Sequence, residues 1–278
     1  MSATDTPANL PAPDTAPRRG PWGDVLHSLL RSGTFLTGLG IVLFWVICAL
    51  FGEHFVPYDP LADDIINALA PPSAEHWFGT DQIGRDVFSR VIVGSRDILT
   101  VAPLATLLAT VAGTALGLLI GYFRGIVDDV VSRVLEAFMA IPVVIIALLA
   151  IVALGTSKIT VIVVIGLSFA PIIARTVRSA VLAERELDYV AAAKLRHEGA
   201  LHTMFVEILP NVIPPILVET TVRLGYAIFA VATLSFMGFG IQPPSPDWGL
   251  SISSNYGMIG GGFWWTVLFD APADGKAD

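Results

Sequence analysis

Residues Gly33–Gly52 read GTFLTGLGIVLFWVICALFG, an apolar run of 20 residues that carries no charged side chain. A helix rises about 1.5 Å per residue, so this run would reach about 30 Å, the thickness of the hydrocarbon core of a bilayer. A buried helix of a globular domain normally keeps one polar stripe, and this run lacks one. The run therefore predicts a membrane-spanning helix.

The composition of the whole chain agrees with lipid as its solvent. Hydrophobic residues make up 54% of the 278 residues and charged residues only 14%, against about 25% charged in ordinary soluble domains. The mean hydropathy is +0.71. The net charge of -8 comes without a basic cluster, which argues against nucleic acid as a partner. The single cysteine, Cys48, can form neither an internal disulfide nor a multi-cysteine metal site.

Four further apolar runs are long enough to cross a membrane. They are Ile98 to Tyr122, Val130 to Leu154, Ile159 to Ala180 and Ile208 to Phe239. Prolines inside these runs predict kinks, which are tolerated because neighbouring helices satisfy the freed carbonyls: Pro103, Pro142, Pro171, Pro214 and Pro215. A last apolar run begins at Phe263 and stops at Asp270, which is too short to span. We therefore expect an all-α polytopic membrane protein with five full spans and a truncated sixth.

The remaining segments complete the domain organisation. Residues 1–32 predict a cytoplasmic tail that is mostly disordered, because its first part is rich in Pro, Ala, Thr and Asp without apolar periodicity. Residues 33–52 form the first span. Residues 53–97 form an extracytoplasmic segment with an amphipathic helix over Gly79 to Arg90. Residues 98–278 form the helical core, with a loop at 181–207 and the truncated last helix.

The basic residues near the ends of the spans favour one orientation. With the N-terminus in the cytoplasm, ten of them lie inside and four lie outside, namely Arg85, Arg90, Arg96 and Lys158. We therefore expect a cytoplasmic N-terminus. Arg223 falls inside the fifth span, where a charge is costly. It predicts either a cavity or partner helix beside it, or an arginine packed against a carbonyl at a subunit contact.

The polar segment Val181 to Glu207, the 181–207 loop, has more helical content than a connector needs. Its sequence predicts two short helices, Leu187 to Leu195 and Ala200 to Glu207. The small residues Ala191, Ala192 and Ala193 allow a partner to approach closely, and the charged residues beside them supply polar rim contacts. The loop therefore predicts a docking surface.

Three motifs resemble one family of transporters. The run Asp188-Tyr189-Val190-Ala191-Ala192-Ala193, followed by Ile208-Leu209-Pro210-Asn211, resembles the "EAA" loop of ABC importer permeases. The run Phe78 to Arg90 resembles the dipeptide, oligopeptide and nickel permeases, as does Leu234 to Gly240 with the Pro243-Pro244 and Asp247-Trp248-Gly249 that follow. From about Pro57 to Phe269 the chain is similar to the C-type inner-membrane permease subunit of these importers.

The resemblance implies an ABC type I importer bundle in a bacterial inner membrane, with a pathway shared with a B-type permease subunit. It also implies one or two ATPase subunits, which would hold ATP and Mg²⁺, and an extracytoplasmic peptide-binding protein. This chain would carry no cofactor, metal or catalytic residue, and it has no G-x-x-x-x-G-K-[ST] motif for ATP. The implied ATPase-coupling residues are Asp188, Tyr189, Ala191, Ala192, Ala193, His197, Gly199, Ile208, Leu209 and Pro210.

The chain departs from the family pattern at three places. Counted back from Pro210, the family's acidic residue falls on Ala191 and its glycine on His197. We expect His197 to forbid a turn with positive φ, which glycine adopts without cost. Val231 stands where an acidic residue is usual, and the last family helix stops after Phe269.

Other functions stay open beside peptide import. A nickel complex is an alternative cargo, although the spans hold no cluster of His, Cys or carboxylates for a bare metal ion. An inactive remnant or a membrane scaffold would fit the shortened last helix.

An intramembrane enzyme fits poorly, because His197 and His202 lie about 140° apart on a helix and cannot share one zinc. Ser168 lacks the setting of a nucleophile elbow, and we expect its hydroxyl to bond back within its own helix.

Overall fold

The structure, a computed structural model, describes residues 29–269. Regular structure in this range is helical, apart from one isolated bridge between Thr80 and Asp86. This confirms the predicted all-α class. The chain divides into two compact units, residues 1–44 and 45–278, each described by itself. The predicted disordered tail lies outside the described residues as far as position 28.

Nine α-helices follow one another within residues 33–268. They are α1 (Gly33–Phe55), α2 (Val87–Phe123), α3 (Ile126–Met139), α4 (Val143–Leu154), α5 (Lys158–Glu184), α6 (Asp188–Leu195), α7 (Ala200–Phe236), α8 (Trp248–Asn255) and α9 (Trp265–Leu268). Short 3₁₀ segments lie at Ile65–Asn67 and Tyr256–Gly261. Four of these helices, α1, α2, α5 and α7, are each long and apolar enough to cross a membrane.

The predicted third span, Val130 to Leu154, is not one continuous helix. It is divided into α3 and α4, which are bent by 88° relative to each other. Pro142 precedes α4 with an extended ψ of 132°. It cannot donate a backbone hydrogen bond, and it disfavours a helical conformation at Ile141. The pair therefore adds a fifth span only if α3 and α4 cross the membrane as one bent unit.

The unit of residues 1–44 contributes the first half of α1 to the described structure. Apolar side chains on this half are exposed, among them Phe35, Leu36, Ile41 and Val42. The hydroxyl of Thr37 donates to the carbonyl of Gly33 at 2.9 Å, which satisfies a polar group that lipid could not. This half of the helix therefore suits a lipid environment.

The centre of the 45–278 unit is the long contact between α2 and α5. Gly113, Gly117 and Gly121 lie four residues apart on α2 and face Ile173, Val177 and Val181 of α5. A Cβ atom added to Gly117 would lie 2.6 Å from the Cβ of Val177, closer than any real contact. Small residues at this spacing let two membrane helices approach closely. The stripe therefore fixes how α2 and α5 pack, and α7 packs against both.

A buried ion pair ties α3 to α5. Asp128, which is 7% exposed, accepts from Arg178 through both carboxylate oxygens, at 2.6 Å from Nε and 2.7 Å from Nη2. The hydroxyl of Ser132 donates to the same carboxylate at 3.0 Å. Bidentate geometry gives this pair more strength and direction than a single contact. It anchors α3 against the core although the chain bends sharply after it.

The expected amphipathic helix over Gly79 to Arg90 is wrong. Only the end of this run is helical, since α2 begins at Val87, and Gly79 and Gly84 adopt positive φ angles of +76° and +81°. The carboxylate of Asp81 accepts from the backbone amides of Ile83 and Arg85. Short acidic side chains that accept hydrogen bonds from nearby backbone amides compete with helix formation, and they favour a turn here.

Arg90 joins the start of α2 to the 53–97 segment and to α8. It is 3% exposed, and its guanidinium donates to the hydroxyl of Ser251 at 2.9 Å and to the carbonyl of Pro60 at 3.1 Å.

The predicted last helix begins as α9, and residues 270–278 lie outside the described range.

Candidate functional site

The 181–207 loop joins α5 to α7 and contains two helical pieces. The first is α6, and the second is the start of α7, where Ala200–His202 leads into a π-helical turn, Thr203–Ile208. Val190 and Ala193 on α6 are fully buried, and Val190 belongs to the same apolar core as Met204 and Ile208. The loop is therefore part of the packed core.

Tyr189 connects α6 to both neighbouring long helices. Its hydroxyl donates to Oε2 of Glu184, at the end of α5, at 2.7 Å and accepts from Nδ2 of Asn211, in α7, at 3.2 Å. Burial, and then the bond to Glu184, raise the pKa of Tyr189 to about 12. The phenol therefore stays protonated and remains a donor at neutral pH. Through this one side chain, α6 is joined to α5 and α7.

Further contacts join the loop to the end of α2. Arg185 donates to the backbone carbonyl of Tyr122. The ammonium group of Lys194 lies 5.9 Å from the centre of the Tyr122 ring. Arg124, just after α2, pairs with Glu186 at 3.0 Å. These contacts hold the loop against a third long helix.

The ten predicted coupling residues do not share one surface. Successive helical residues point about 100° apart, so three consecutive alanines face three directions. Only Ala191 is exposed for approach by a partner, whereas Ala193 lets α6 pack closely onto the core. The exposed members are Asp188, Ala191, His197, Gly199 and Pro210; the half-buried ones are Tyr189, Ala192 and Leu209; the buried ones are Ala193 and Ile208.

His197 ends α6 in a left-handed turn. Its φ is +59°, so the expectation that it forbids positive φ is wrong. Its amide donates to the carbonyl of Lys194 at 3.0 Å, and the amide of Glu198 donates to that of Ala193 at 3.2 Å. These are the two hydrogen bonds of a Schellman motif, and histidine is one of the residues enriched among non-glycine left-handed positions.

Pro210 accounts for the π-helical turn before it. A proline cannot donate to the carbonyl four residues earlier, and its ring clashes with that carbonyl. The helix widens instead, and the amide of Leu209 donates to the carbonyl of Met204, five residues back. Isolated π turns inside helices are frequent at functional sites. The Ile208-Leu209-Pro210 run thus sets where the loop ends and the spanning part of α7 begins.

Sequence reasoning missed an exposed set of large apolar side chains on the loop, the apolar patch. The exposed fraction is 81% for Leu195, 70% for Leu201 and 50% for Phe205. Leu187 and Val206 complete the patch. The spacing of Leu201 and Phe205, four residues apart on one helix face, was the available signal. Exposed apolar patches rimmed by polar residues mark sites of interaction with a protein or a membrane.

Comparison with known families identifies the chain. Residues 113–269 match the family of binding-protein-dependent transport system inner membrane components. Residues 20–72 match the N-terminal transmembrane domain of oligopeptide transport permease C. The chain belongs to this permease family. Its 181–207 loop and Leu234 to Gly240 both lie inside the longer match.

Individual relatives cover most of this permease. The dipeptide transport system permease protein DppC of Alkalihalophilus pseudofirmus is 35% identical over 96% of this chain and 87% of its own. The di/tripeptide permease DppC of Pseudomonas aeruginosa is 34% identical, over 93% and 88%. The glutathione permease GsiD of Escherichia coli is 33% identical, over 84% and 78%.

A solved structure has the same fold. A chain of the MetNI methionine ABC transporter, in an inward-facing conformation, matches with a TM-score of 0.52 and 22% identity. The match covers 62% of this permease and 82% of that chain. The ABC importer permease fold predicted from the sequence is thereby confirmed.

The permease brings one possible metal-binding group together. Ligand atoms of Glu198, His202 and Glu207 lie within 4.8 Å of one another. Arg196, however, pairs with Glu198 at 2.6 Å and with Glu207 at 3.1 Å. The arginine lowers the pKa of Glu198, chiefly by hydrogen bonding. The group is therefore an ion-pair network that holds the end of α6 to the start of α7.

Ser168 of the permease does not bond back within its helix as expected. Its hydroxyl is buried and has no hydrogen-bond partner within residues 29–269. Threonines make the expected bonds instead; the hydroxyl of Thr220, for example, donates to the carbonyl of Ile216 at 2.7 Å. Val231, the second place where the chain departs from the family pattern, is fully buried in the apolar core. An acidic side chain at this position would therefore be buried away from the water that solvates its charge.

Proposed function

We propose that this chain is the C-type subunit of an ATP-driven importer of di- or oligopeptides. It forms the pathway together with a B-type permease subunit and receives peptide from an extracytoplasmic binding protein. ATPase subunits, which hold ATP and Mg²⁺, dock on the 181–207 loop. The N-terminus lies in the cytoplasm of a bacterial cell, on the same side as this loop.

The observation that carries the coupling role is the Tyr189 hydroxyl, which bonds to Glu184 and Asn211 at once. A docking surface can drive transport only if its displacement reaches the spanning helices. The apolar patch supplies a surface for a partner on α6 and the start of α7, and Tyr189 links α6 to α5 and to the spanning part of α7. ATP-driven closure of the ATPase pair moves α6, and the rigid helices convert this movement into opening toward the outside.

The substrate class comes from the relatives. Dipeptide, tripeptide and glutathione permeases are all about a third identical to this chain over most of its length. The cargo proposed here is therefore a short peptide, and a nickel complex is the competitor to be tested beside it.

The experiment is co-purification of this chain with the permease and ATPases encoded beside it, followed by reconstitution in lipid. Replacing two exposed patch residues, Leu201→Asp with Phe205→Asp, should reduce retention of the ATPases at least tenfold, because it places two charges in an apolar contact. Ile66→Asp is the control, since Ile66 is also apolar and is even more exposed, at 95%, but lies in the 53–97 segment.

Two results would overturn the proposal. If the patch variant keeps its ATPases as well as the control does, the 181–207 loop is not the docking surface. If no ATPase is retained by the unaltered chain, the protein is a remnant or scaffold. Uptake of a nickel complex without uptake of peptide would overturn only the proposed cargo and leave the rest of the proposal intact.

A further inference from the structure

The spanning part of α7 carries an ion pair near its middle. Glu219 and Arg223 lie one helical turn apart, with Oε1 of Glu219 2.6 Å from Nε of Arg223. Arg223 comes fourteen residues after Leu209 and thirteen before Phe236, the ends of this helical segment. Charged residues within a spanning helix are costly and generally face a cavity or pathway. The position of this pair therefore requires a functional or structural reason.

Neither member of the pair uses its full bonding capacity. Each side chain is only 17% exposed. Within residues 29–269, the guanidinium of Arg223 has no hydrogen-bond acceptor besides Glu219, which it contacts through Nε alone. A guanidinium can donate five hydrogen bonds in a planar fork. Its remaining edge is thus available to an anionic group, and the second oxygen of Glu219 is available to a cation.

An aromatic side chain extends the pair toward an apolar cavity. The Arg223 guanidinium carbon lies 5.0 Å from the centre of the Tyr226 ring. Tyr226 in turn lines a cavity of about 200 Å³ that is almost entirely apolar. The other lining residues belong to α4, α5 and α7: Val143, Val144, Phe169, Phe229, Ala230, Thr233 and Leu234. A helix rises about 1.5 Å per residue, so the first residues of α7 that line the cavity, Tyr226 and Phe229, lie within about 10 Å of Arg223 along the helix axis.

We propose that Glu219, Arg223 and this cavity form a peptide contact inside the pathway. Arg223 receives the terminal carboxylate, Glu219 receives the terminal ammonium group, and the cavity takes an apolar side chain. A short peptide carries all three groups within this distance, because consecutive Cα atoms are 3.8 Å apart. The inference rests on the proposed function, since it assumes that peptides cross beside α7.

The test uses the complete complex in proteoliposomes, with the zwitterionic dipeptides Leu-Leu and Ala-Ala and with C-terminally amidated Leu-Leu. Arg223→Gln should raise the KM for zwitterionic Leu-Leu uptake at least tenfold and change that for the amidated peptide less than threefold. Ala230→Leu, which fills the cavity, should lower uptake of Leu-Leu relative to Ala-Ala. Arg96→Gln is the control, because Arg96 forms an exposed ion pair with Glu53 away from α7.

A charge exchange separates ligand contact from a structural role. In Glu219→Arg with Arg223→Glu, an ion pair can still form at the same spacing. A purely structural pair would recover wild-type uptake in this double variant, and that result would overturn the inference. Loss of the B-type subunit on purification of Arg223→Gln would overturn it too, because the pair would then be a subunit contact.

The two proposals fail in different ways. If the wild-type complex takes up no peptide, both the proposed function and this inference are overturned. If the wild-type complex imports Leu-Leu and Arg223→Gln imports zwitterionic and amidated peptide with unchanged KM, only the peptide contact is overturned.

Discussion

The side-chain amide of Asn211 donates a 3.2 Å hydrogen bond to the hydroxyl of Tyr189, 22 residues earlier in the chain. The same hydroxyl donates to Glu184, so one oxygen atom joins α5, α6 and α7. A partner that contacts α6 and the start of α7 therefore does not need to contact α5 to affect it. Under the proposed function, the apolar patch binds the partner and Tyr189 transmits its movement to α5.

Tyr189→Phe is expected to uncouple the complex while leaving it assembled. The change removes both hydrogen bonds of the hydroxyl but keeps the ring, at a cost of about 1–3 kcal/mol in local stability. Hydrogen exchange should show lower protection of the α6 amides. In the reconstituted complex, peptide should no longer stimulate ATP hydrolysis although the ATPases remain bound.

Tyr122→Phe is the control for this variant. Tyr122 lies beside the same loop, and within residues 29–269 its hydroxyl has no hydrogen-bond partner, so its loss should change neither measurement. Normal peptide stimulation in Tyr189→Phe would show that coupling takes another route.

His197→Gly is expected to stabilise the end of α6. A left-handed conformation costs a residue with a Cβ about 1–2 kcal/mol, and glycine adopts it freely. Part of the gain is lost because glycine is more flexible in the unfolded chain. We expect a net gain of about 0.5–1 kcal/mol in local stability, which hydrogen exchange would register as about two- to fivefold higher protection of α6 amides.

The permease offers the opposite substitution as a control. α7 ends in the same Schellman arrangement, in which Gly238 has φ +81° and the amide of Phe239 donates to the carbonyl of Leu234 at 2.8 Å. Gly238→Ala should destabilise that end by about 1–2 kcal/mol. Equal effects of the two substitutions would contradict the argument from φ.

The parts of this fold that depend on lipid as solvent could be predicted from the sequence. A bilayer requires long apolar runs, so α1, α2, α5 and α7 follow from hydropathy. The break at Pro142 did not follow, because an apolar run looks the same whether the chain continues straight or turns by 88°. Proline is tolerated in spanning helices, so its presence alone does not decide between the two.

The loop shows where residue preferences mislead. The cost of positive φ at His197 was recognised, but the two hydrogen bonds that hold the turn depend on where α6 ends. In the 53–97 segment, an amphipathic helix was expected over Gly79 to Arg90, whereas Asp81 accepts hydrogen bonds from two backbone amides in a turn. Both errors come from local hydrogen bonds that hold a turn in place. Residue types alone do not reveal these bonds.

Gly117→Ala is expected to destabilise the α2–α5 contact by about 1–3 kcal/mol, as overpacking of a close contact does. The new Cβ would lie 2.7 Å from the carbonyl oxygen of Ala174, which is backbone and cannot rotate away. The thermal unfolding midpoint in detergent should fall. Gly225→Ala is the matched control on α7, where a new Cβ would meet nothing within 4 Å. An equal fall in both variants would show that helix–helix clash is not the cause.

Asp247, which caps the start of α8, is expected to make this helix sensitive to pH. Its side chain is fully buried, and Oδ1 accepts from the amide of Leu250 at 2.9 Å. Burial raises the pKa of Asp247 from 3.8 to about 6, and nearby Asp97 adds to this. Because the folded pKa lies above the unfolded one, the stabilising contribution is complete below about pH 3.8 and is lost as pH rises through 6.

Asp247→Asn should remove this pH dependence while keeping the helix cap, since asparagine caps as well as aspartate and cannot ionise. At pH 7 the ionised wild-type side chain costs up to about 3 kcal/mol of local stability, so the variant should show higher hydrogen-exchange protection of α8. Between pH 4 and 7, protection corrected for the intrinsic exchange rate should fall in the wild type and stay level in the variant. Asp59→Asn is the control, because the exposed Asp59 also accepts from a backbone amide, that of Leu61 at 2.9 Å. A pH profile of α8 that Asp247→Asn leaves unchanged would assign the sensitivity to another group.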